Sequence, residues 1–243
     1  MKSTAGYGAP QEKCRSSVPW RVVVFDLDDT LYPEAEFVRS GFRAVAVWSQ
    51  RHLNCDAEST FRELMHLFDD GVRGTIFDSW VATHRLPSET IPQLVQVYRE
   101  HYPRIHPFPG VPEMICELRN DFRLGLLSDG ILAVQERKLS ALGIGCQFSA
   151  VVFTDRFGRE YWKPSVKPFL ELMKVLKVNP EETVYVADNP AKDFIACRLL
   201  GMHSIWLRQS TGVYSALDPA PDACPSYVVN SIAAVRRLLV SGN

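Results

Sequence analysis

Residues 22–31 read VVVFDLDDTL. Val22, Val23, Val24 and Phe25 form a strand-like apolar run that ends in Asp26, Asp28 and Asp29, followed by Thr30. A buried strand that ends in acids delivers them to the edge of a sheet, where open α/β folds bind their ligands. Asp26 and Asp28 are two residues apart, so on an extended chain their side chains point the same way. Carboxylates crowded so closely repel, and both ionise cheaply only with a cation or a proton between them. The expectation is a divalent metal site with an acid/base function. An ordinary acidic turn after a strand is the alternative that the pair alone leaves open.

Downstream of this stretch the chain alternates strand-like and helix-like segments. FRLGLL (122–127) is a strand ending in Ser128, TVYVA (183–187) is one ending in Asp188, and shorter strands are expected at 150–153, 203–207 and 227–229. Helical patterns are expected at 112–120, 132–142, 166–177, 191–200 and 232–240, with Gly143 and Gly201 as stops. Strands separated by helices of this length imply an α/β fold with a doubly wound parallel sheet and right-handed crossovers. Residues 34–106 break the rhythm. Three helical patterns follow one another there: Phe37, Gly41, Val45 and Trp48 share one face, Phe61, Leu64, Met65 and Phe68 a second, and Leu94, Val95 and Tyr98 a third. Thr60 and Glu63 have the spacing of a capping box for the second pattern. The proline-rich HYPRIHPFPG (101–110) reads as a stiff return to the sheet. The expected division is a loose polar tail over 1–18, an α/β core over 19–33 and 107–243, and an inserted all-helical unit over 34–106.

Composition limits the function classes. The 243 residues carry 27 Lys and Arg against 28 Asp and Glu, a net charge of −1 that argues against a nucleic-acid partner. No apolar run has the length of a membrane span, and the first residues lack the apolar stretch of a secretory signal. The six cysteines are scattered without metal-ligand spacing, which suits buried thiols in a reducing, cytoplasmic setting.

Asp26 and Asp28, Ser128 and Asp188 all fall at expected carboxyl ends of strands, which gather along one edge of a parallel sheet. Lys163, in KPS before a helix, is free to reach the same edge and is preferred to Lys167, which falls within that helix's first turn. Acids, a hydroxyl and an ammonium together suit a phosphate-plus-Mg²⁺ site.

DLDDT at 26–30, Ser128 after its strand, Lys163-Pro164 and VADNPAKD at 186–193 resemble, in this order, the four motifs of haloacid dehalogenase-like (HAD) hydrolases. The resemblance runs from the first strand to Leu207, and the helical insertion resembles the family's C1-type cap. It implies a Rossmann-like core and a Mg²⁺-dependent phosphomonoesterase acting on a small soluble metabolite, with DLDDTLYP resembling the nucleotidase and sugar-phosphate branches. By the same resemblance Asp26 attacks phosphorus to form an aspartyl-phosphate, and Asp28 serves as acid and then base. Metal is held by Asp26, the Asp28 carbonyl and Asp188, with Asp193 close by. Ser128 and Lys163 bind the phosphoryl group. Two departures stand out: Ala187 where a glycine is usual, and Asp129, counted with the substrate-binding residues, where Asn is frequent. Within the insertion, Arg39 and Arg43 share a helical face and are the candidates for a second anionic group on the substrate; a solvated basic face is the alternative. A phosphate- or partner-binding module on the same fold, or a phosphosugar mutase, is the rival to hydrolysis.

Overall fold

The computed structural model describes residues 20–210 and 212–241; the expected loose tail over 1–18 lies outside them. Six strands form one parallel sheet in the order β3-β2-β1-β4-β5-β6: β1 Val22–Phe25, β2 Arg123–Ser128, β3 Ala150–Phe153, β4 Thr183–Ala187, β5 His203–Leu207 and β6 Tyr227–Val229. This is the doubly wound α/β arrangement, and it reverses direction between β1 and β4, the place where such sheets open a crevice.

Strand alternation sorts the core into two layers. Val23 and Phe25 of β1 join Leu124, Leu126, Val184 and Val186 on one face, beneath α5 (Val111–Leu118), α6 (Leu132–Leu142) and α9 (Ile232–Ser241). Val22 and Val24 join Tyr185 and Ala187 on the other, beneath α7 (Lys167–Leu176) and α8 (Asp193–Leu200). Both faces of β1 are covered, so this strand reads as an unbroken apolar run. Val22 pairs with Arg123 on one side and Thr183 on the other, a register that brings the ends of β1, β2 and β4 level.

Between β1 and α5 lie four helices rather than three: α1 Glu34–His52, α2 Ala57–Asp69, α3 Ile76–Thr83 and α4 Thr90–Glu100. The additional helix, α3, has only eight residues, too few for a period to stand out. It contributes Phe77, Trp80 and Val81 to a third hydrophobic cluster, shared with Val38, Phe42, Val45, Phe61, Leu64 and Leu94. The Thr60–Glu63 capping box does not form. Helix α2 starts earlier, at Asp56, whose side chain accepts from the Ser59 N–H at 2.8 Å. Glu63 lies past the first turn and instead accepts from Trp80 Nε1 at 2.8 Å, tying α2 to α3. Among the described residues no helix is long and apolar enough to cross a membrane.

Tyr98 of α4 is the centre of this cluster, with Phe37, Phe42 and Phe77 around it at ring-centroid distances of 5.4–5.7 Å. Its ring lies on Gly41 of α1, where a Cβ would meet Tyr98 ring carbons at 2.5 Å. Helix propensity alone favours alanine at an interior glycine by about 1 kcal/mol. Here the close approach of α4 reverses the sign: Gly41→Ala is expected to destabilise the protein by about 1–3 kcal/mol in chemical denaturation, since the ring cannot move without displacing its aromatic neighbours. A more stable variant would contradict this packing.

Candidate active site

Asp26 ends β1, Asp188 follows β4, and Asp193 opens α8. These three buried acids each offer a carboxylate oxygen, all within 4.8 Å of one another. Lys163 enters from the loop before α7, past a cis bond to Pro164. Its buried Nζ lies 3.1 Å from Asp26 Oδ1 and 2.7 Å from Asp193 Oδ1, and donates to Tyr185 Oη at 3.1 Å. Burial pushes the Asp26 carboxyl up to about 6; Lys163 opposes this and Asp193 adds to it. Burial, reinforced by Asp193 and Asp26, holds Asp188 well above the usual carboxylate range. Lys163 itself stays charged despite burial, because Asp193 and Asp26 face it. Two of the three acids therefore pair with one ammonium, and Asp188 Oδ2 is buried with no hydrogen-bond partner among the described residues. An all-oxygen donor set with an orphaned carboxylate oxygen fits a hard divalent cation.

Asp28 lies in different surroundings. Its carboxylate turns away from the triad and accepts from Lys138 Nζ at 2.7 Å, from Gln135 Nε2 at 2.9 Å and from the Tyr32 hydroxyl. Burial would raise its pKa, but the Lys138 charge and these three hydrogen bonds outweigh it and hold the group below the ordinary value. The expected metal contact through the Asp28 carbonyl is left to the backbone, because the side chain is fully engaged elsewhere. Lys138 and Gln135 were not singled out in the sequence. Their signal was a pair of polar residues one turn apart on α6, next to the buried Val134 and Leu142.

Ser128 ends β2, its buried Oγ accepting from Gln135 Nε2 at 2.8 Å. Asp129 accepts from Thr154 Oγ1 at 2.8 Å, the Lys163 N–H at 3.1 Å and Lys192 Nζ at 3.0 Å. The Asp129 carboxylate thus fixes the Lys163 backbone and the Lys192 ammonium. Lys163 does not line the cavity above Asp26, whereas Lys192, Lys138 and Arg99 do, and none of these three cations was singled out in the sequence. Lys167 stacks over Tyr161 at 3.6 Å. Asp29, at φ 49°, accepts the Glu34 N–H at 2.8 Å and shapes the turn.

Arg39 and Arg43 are not brought to this cavity. They line a separate groove along α1, where Arg43 pairs with Glu58 at 2.5 Å and stacks on Phe61. The reason is helical phase. Phe37, Val38, Phe42 and Val45 take the buried face of α1 and turn both arginines outward.

Comparison with known proteins places the chain in a family. Glyceraldehyde 3-phosphate phosphatase of Methanopyrus kandleri is 30% identical over 211 residues, 83% of this chain and 89% of the relative. N-acylneuraminate-9-phosphatase of Rattus norvegicus is 27% identical over 241 residues, 91% of this chain and 94% of the relative. The HAD-hydrolase YfnB of Bacillus subtilis, solved with magnesium bound, superposes with a TM-score of 0.68 at 18% identity, over 90% of this chain and 98% of that one, and shares the fold. The sequence profile of haloacid dehalogenase-like hydrolases matches residues 23–207, from within β1 to the end of β5 and through every strand end that bears a site acid, and the chain belongs to that family.

Proposed function

We propose that this hydrolase is a Mg²⁺-dependent phosphomonoesterase of small phosphorylated metabolites that works through an aspartyl-phosphate on Asp26. The observation that carries the reading is the contrast between two acids two residues apart, one in a metal-like cluster and one in a hydrogen-bonded cage. The named relatives are phosphatases, and the chain is a phosphatase of this family. A cytoplasmic location is part of the reading, supported by the free state of the five described cysteines.

Asp26, Asp188 and Asp193 would hold Mg²⁺, together with the Asp28 carbonyl. When bound, the ion offsets the negative charge of carboxylate and phosphate so that one anion can approach the other. Lys163 keeps Asp26 ionised near neutral pH and holds it in place through ion pairing. An Asp26 oxygen forms the bond to phosphorus as the bond to the leaving alcohol oxygen breaks. Ser128 Oγ and Lys192 meet the phosphoryl oxygens. The alcohol oxygen takes its proton from Asp28, which in the second half accepts one from the water that cleaves the aspartyl-phosphate. Asp28 therefore enters the first half carrying that proton, and Lys138, Tyr32 and Gln135 stabilise the carboxylate left when it departs, the state needed for the second half. The helices α1–α4 act as a cap over the leaving group, a role supported by Tyr98 and Arg99 lining the cavity.

The direct test is phosphate release from a panel of metabolite phosphates with and without Mg²⁺. Turnover should require the metal and fall by at least about 1,000-fold in Asp26→Asn. Unchanged turnover in that variant would remove the covalent step.

Lys138→Gln should raise the Asp28 pKa, because the cation that holds it down is gone. The acid limb of the kcat–pH profile then moves to higher pH and kcat falls at neutral pH by about tenfold. A profile that overlays the wild type would exclude Lys138 as the residue that sets the Asp28 charge.

Metal binding should also show in stability. Asp26 and Asp188 bind protons more tightly folded than unfolded, so their unfavourable contribution is present above the folded pKa and fades as pH falls towards the unfolded value of about 4. Protons and Mg²⁺ compete for the same oxygens. The rise in Tm from saturating Mg²⁺ is therefore expected to be larger at about pH 7.5 than at about pH 5; an equal rise would place the metal elsewhere.

A further inference from the structure

The cavity above Asp26 has a volume of about 290 Å³, and a second of about 960 Å³ lies beside it, between α1, α3, α4 and Gln209, Gly212, Val213 and Tyr214. Glu34, Tyr98, Arg99 and Tyr214 line both, so the two meet at a polar junction. Beyond it the walls are mainly apolar: Val38, Phe42, Phe68, Ile76, Phe77 and Val95. Arg73 also lines the chamber, but its guanidinium donates to the Phe68 and Val72 carbonyls at 2.5 and 2.9 Å and lies flat over the Phe68 ring at 3.9 Å.

A three-carbon phosphate needs only the inner cavity and would leave an apolar chamber to water. The chamber lies at the upper end of the roughly 300–1,000 Å³ typical of small-molecule sites. Apolar surface removed from water there favours binding in proportion to its area. We propose, resting on the hydrolytic reading above, that the substrate is a phosphate ester of an alcohol with a large apolar or aromatic distal body. The phosphate sits on Asp26, polar groups near the ester face the junction, and the apolar body fills the chamber.

The test uses esters of primary alcohols, so that leaving-group acidity stays similar: ethyl phosphate, glycerol 3-phosphate and 2-(1-naphthyl)ethyl phosphate. For the wild type, kcat/KM for the naphthyl ester is expected to exceed the other two by at least about tenfold. Ala35→Trp, from an exposed position on α1, and Val213→Trp, from an exposed position across the chamber, both fill it without touching the catalytic acids. Each should lower kcat/KM for the naphthyl ester by at least about tenfold and leave ethyl phosphate within about threefold. Asp26-dependent turnover of ethyl phosphate or glycerol 3-phosphate with no preference for the naphthyl ester would overturn this proposal and leave the hydrolytic reading intact. A preference that survives both tryptophans would also overturn it, because the ring would then lie elsewhere. No turnover of any ester would overturn both.

Discussion

The ammonium of Lys163 between Asp26 and Asp193 is the constraint on which the site depends. Three carboxylates are buried side by side, and burial raises the energy of each charge. One lysine reduces that cost and cannot remove it, which is why Asp188 and Asp26 both have raised pKa values. Such a cluster persists only if the backbone leaves the acids no route apart. The parallel sheet supplies that confinement. Asp26 and Asp188 continue two hydrogen-bonded neighbours, β1 and β4, and Asp193 is fixed by accepting the Asn189 N–H at 3.0 Å. Tyr185, inside β4, holds Lys163 from below and donates to the Leu127 carbonyl, so β2 is tied to the same lysine. Folding stability is spent here on holding charge ready for a cation.

Much of this architecture is legible in the sequence because it is local. A strand's apolar run and the acid that ends it are adjacent residues, so β1 with Asp26 and β4 with Asp188 can be read directly, and β5 and β6 fall at their expected positions. Partners contributed by distant segments are not legible in this way. Gln135 and Lys138 reach Asp28 from more than 100 residues away, and nothing in α6 states which strand end it faces. Arg39 and Arg43 show the reverse case. Their shared face is plain from the spacing, but the direction of that face follows from the burial of Val38, Phe42 and Val45 on the other, buried side of the helix. Helix α3 and the start of α2 at Asp56 were obscured for a third reason: short helices carry little periodicity, and several residues around 56–60 are good caps.

Asp26 and Asp28 show how one turn of chain can hold two acids in different states. Their separation in charge comes from the sources of their neighbours. The largest influences on Asp26 come from the sheet edge: burial at the strand end, Lys163 and Asp193, with Lys192 and Asp28 adding less. What tunes Asp28 comes from α6 and from Tyr32, just before α1, and Lys138 also lies over the Phe37 ring of α1 at 4.4 Å. Asp26 is thus set mainly by groups gathered at the buried strand ends. Asp28 is set by groups in contact with the helical segment beside the cavity. Entry to and return from that segment are fastened next to the site: the Glu34 N–H is held by Asp29, the His106 N–H by Glu36 at 2.7 Å, and the Phe108 N–H by the Leu31 carbonyl at 2.9 Å. A shift of α1 would therefore act on the cage around Asp28 before it reached Asp26.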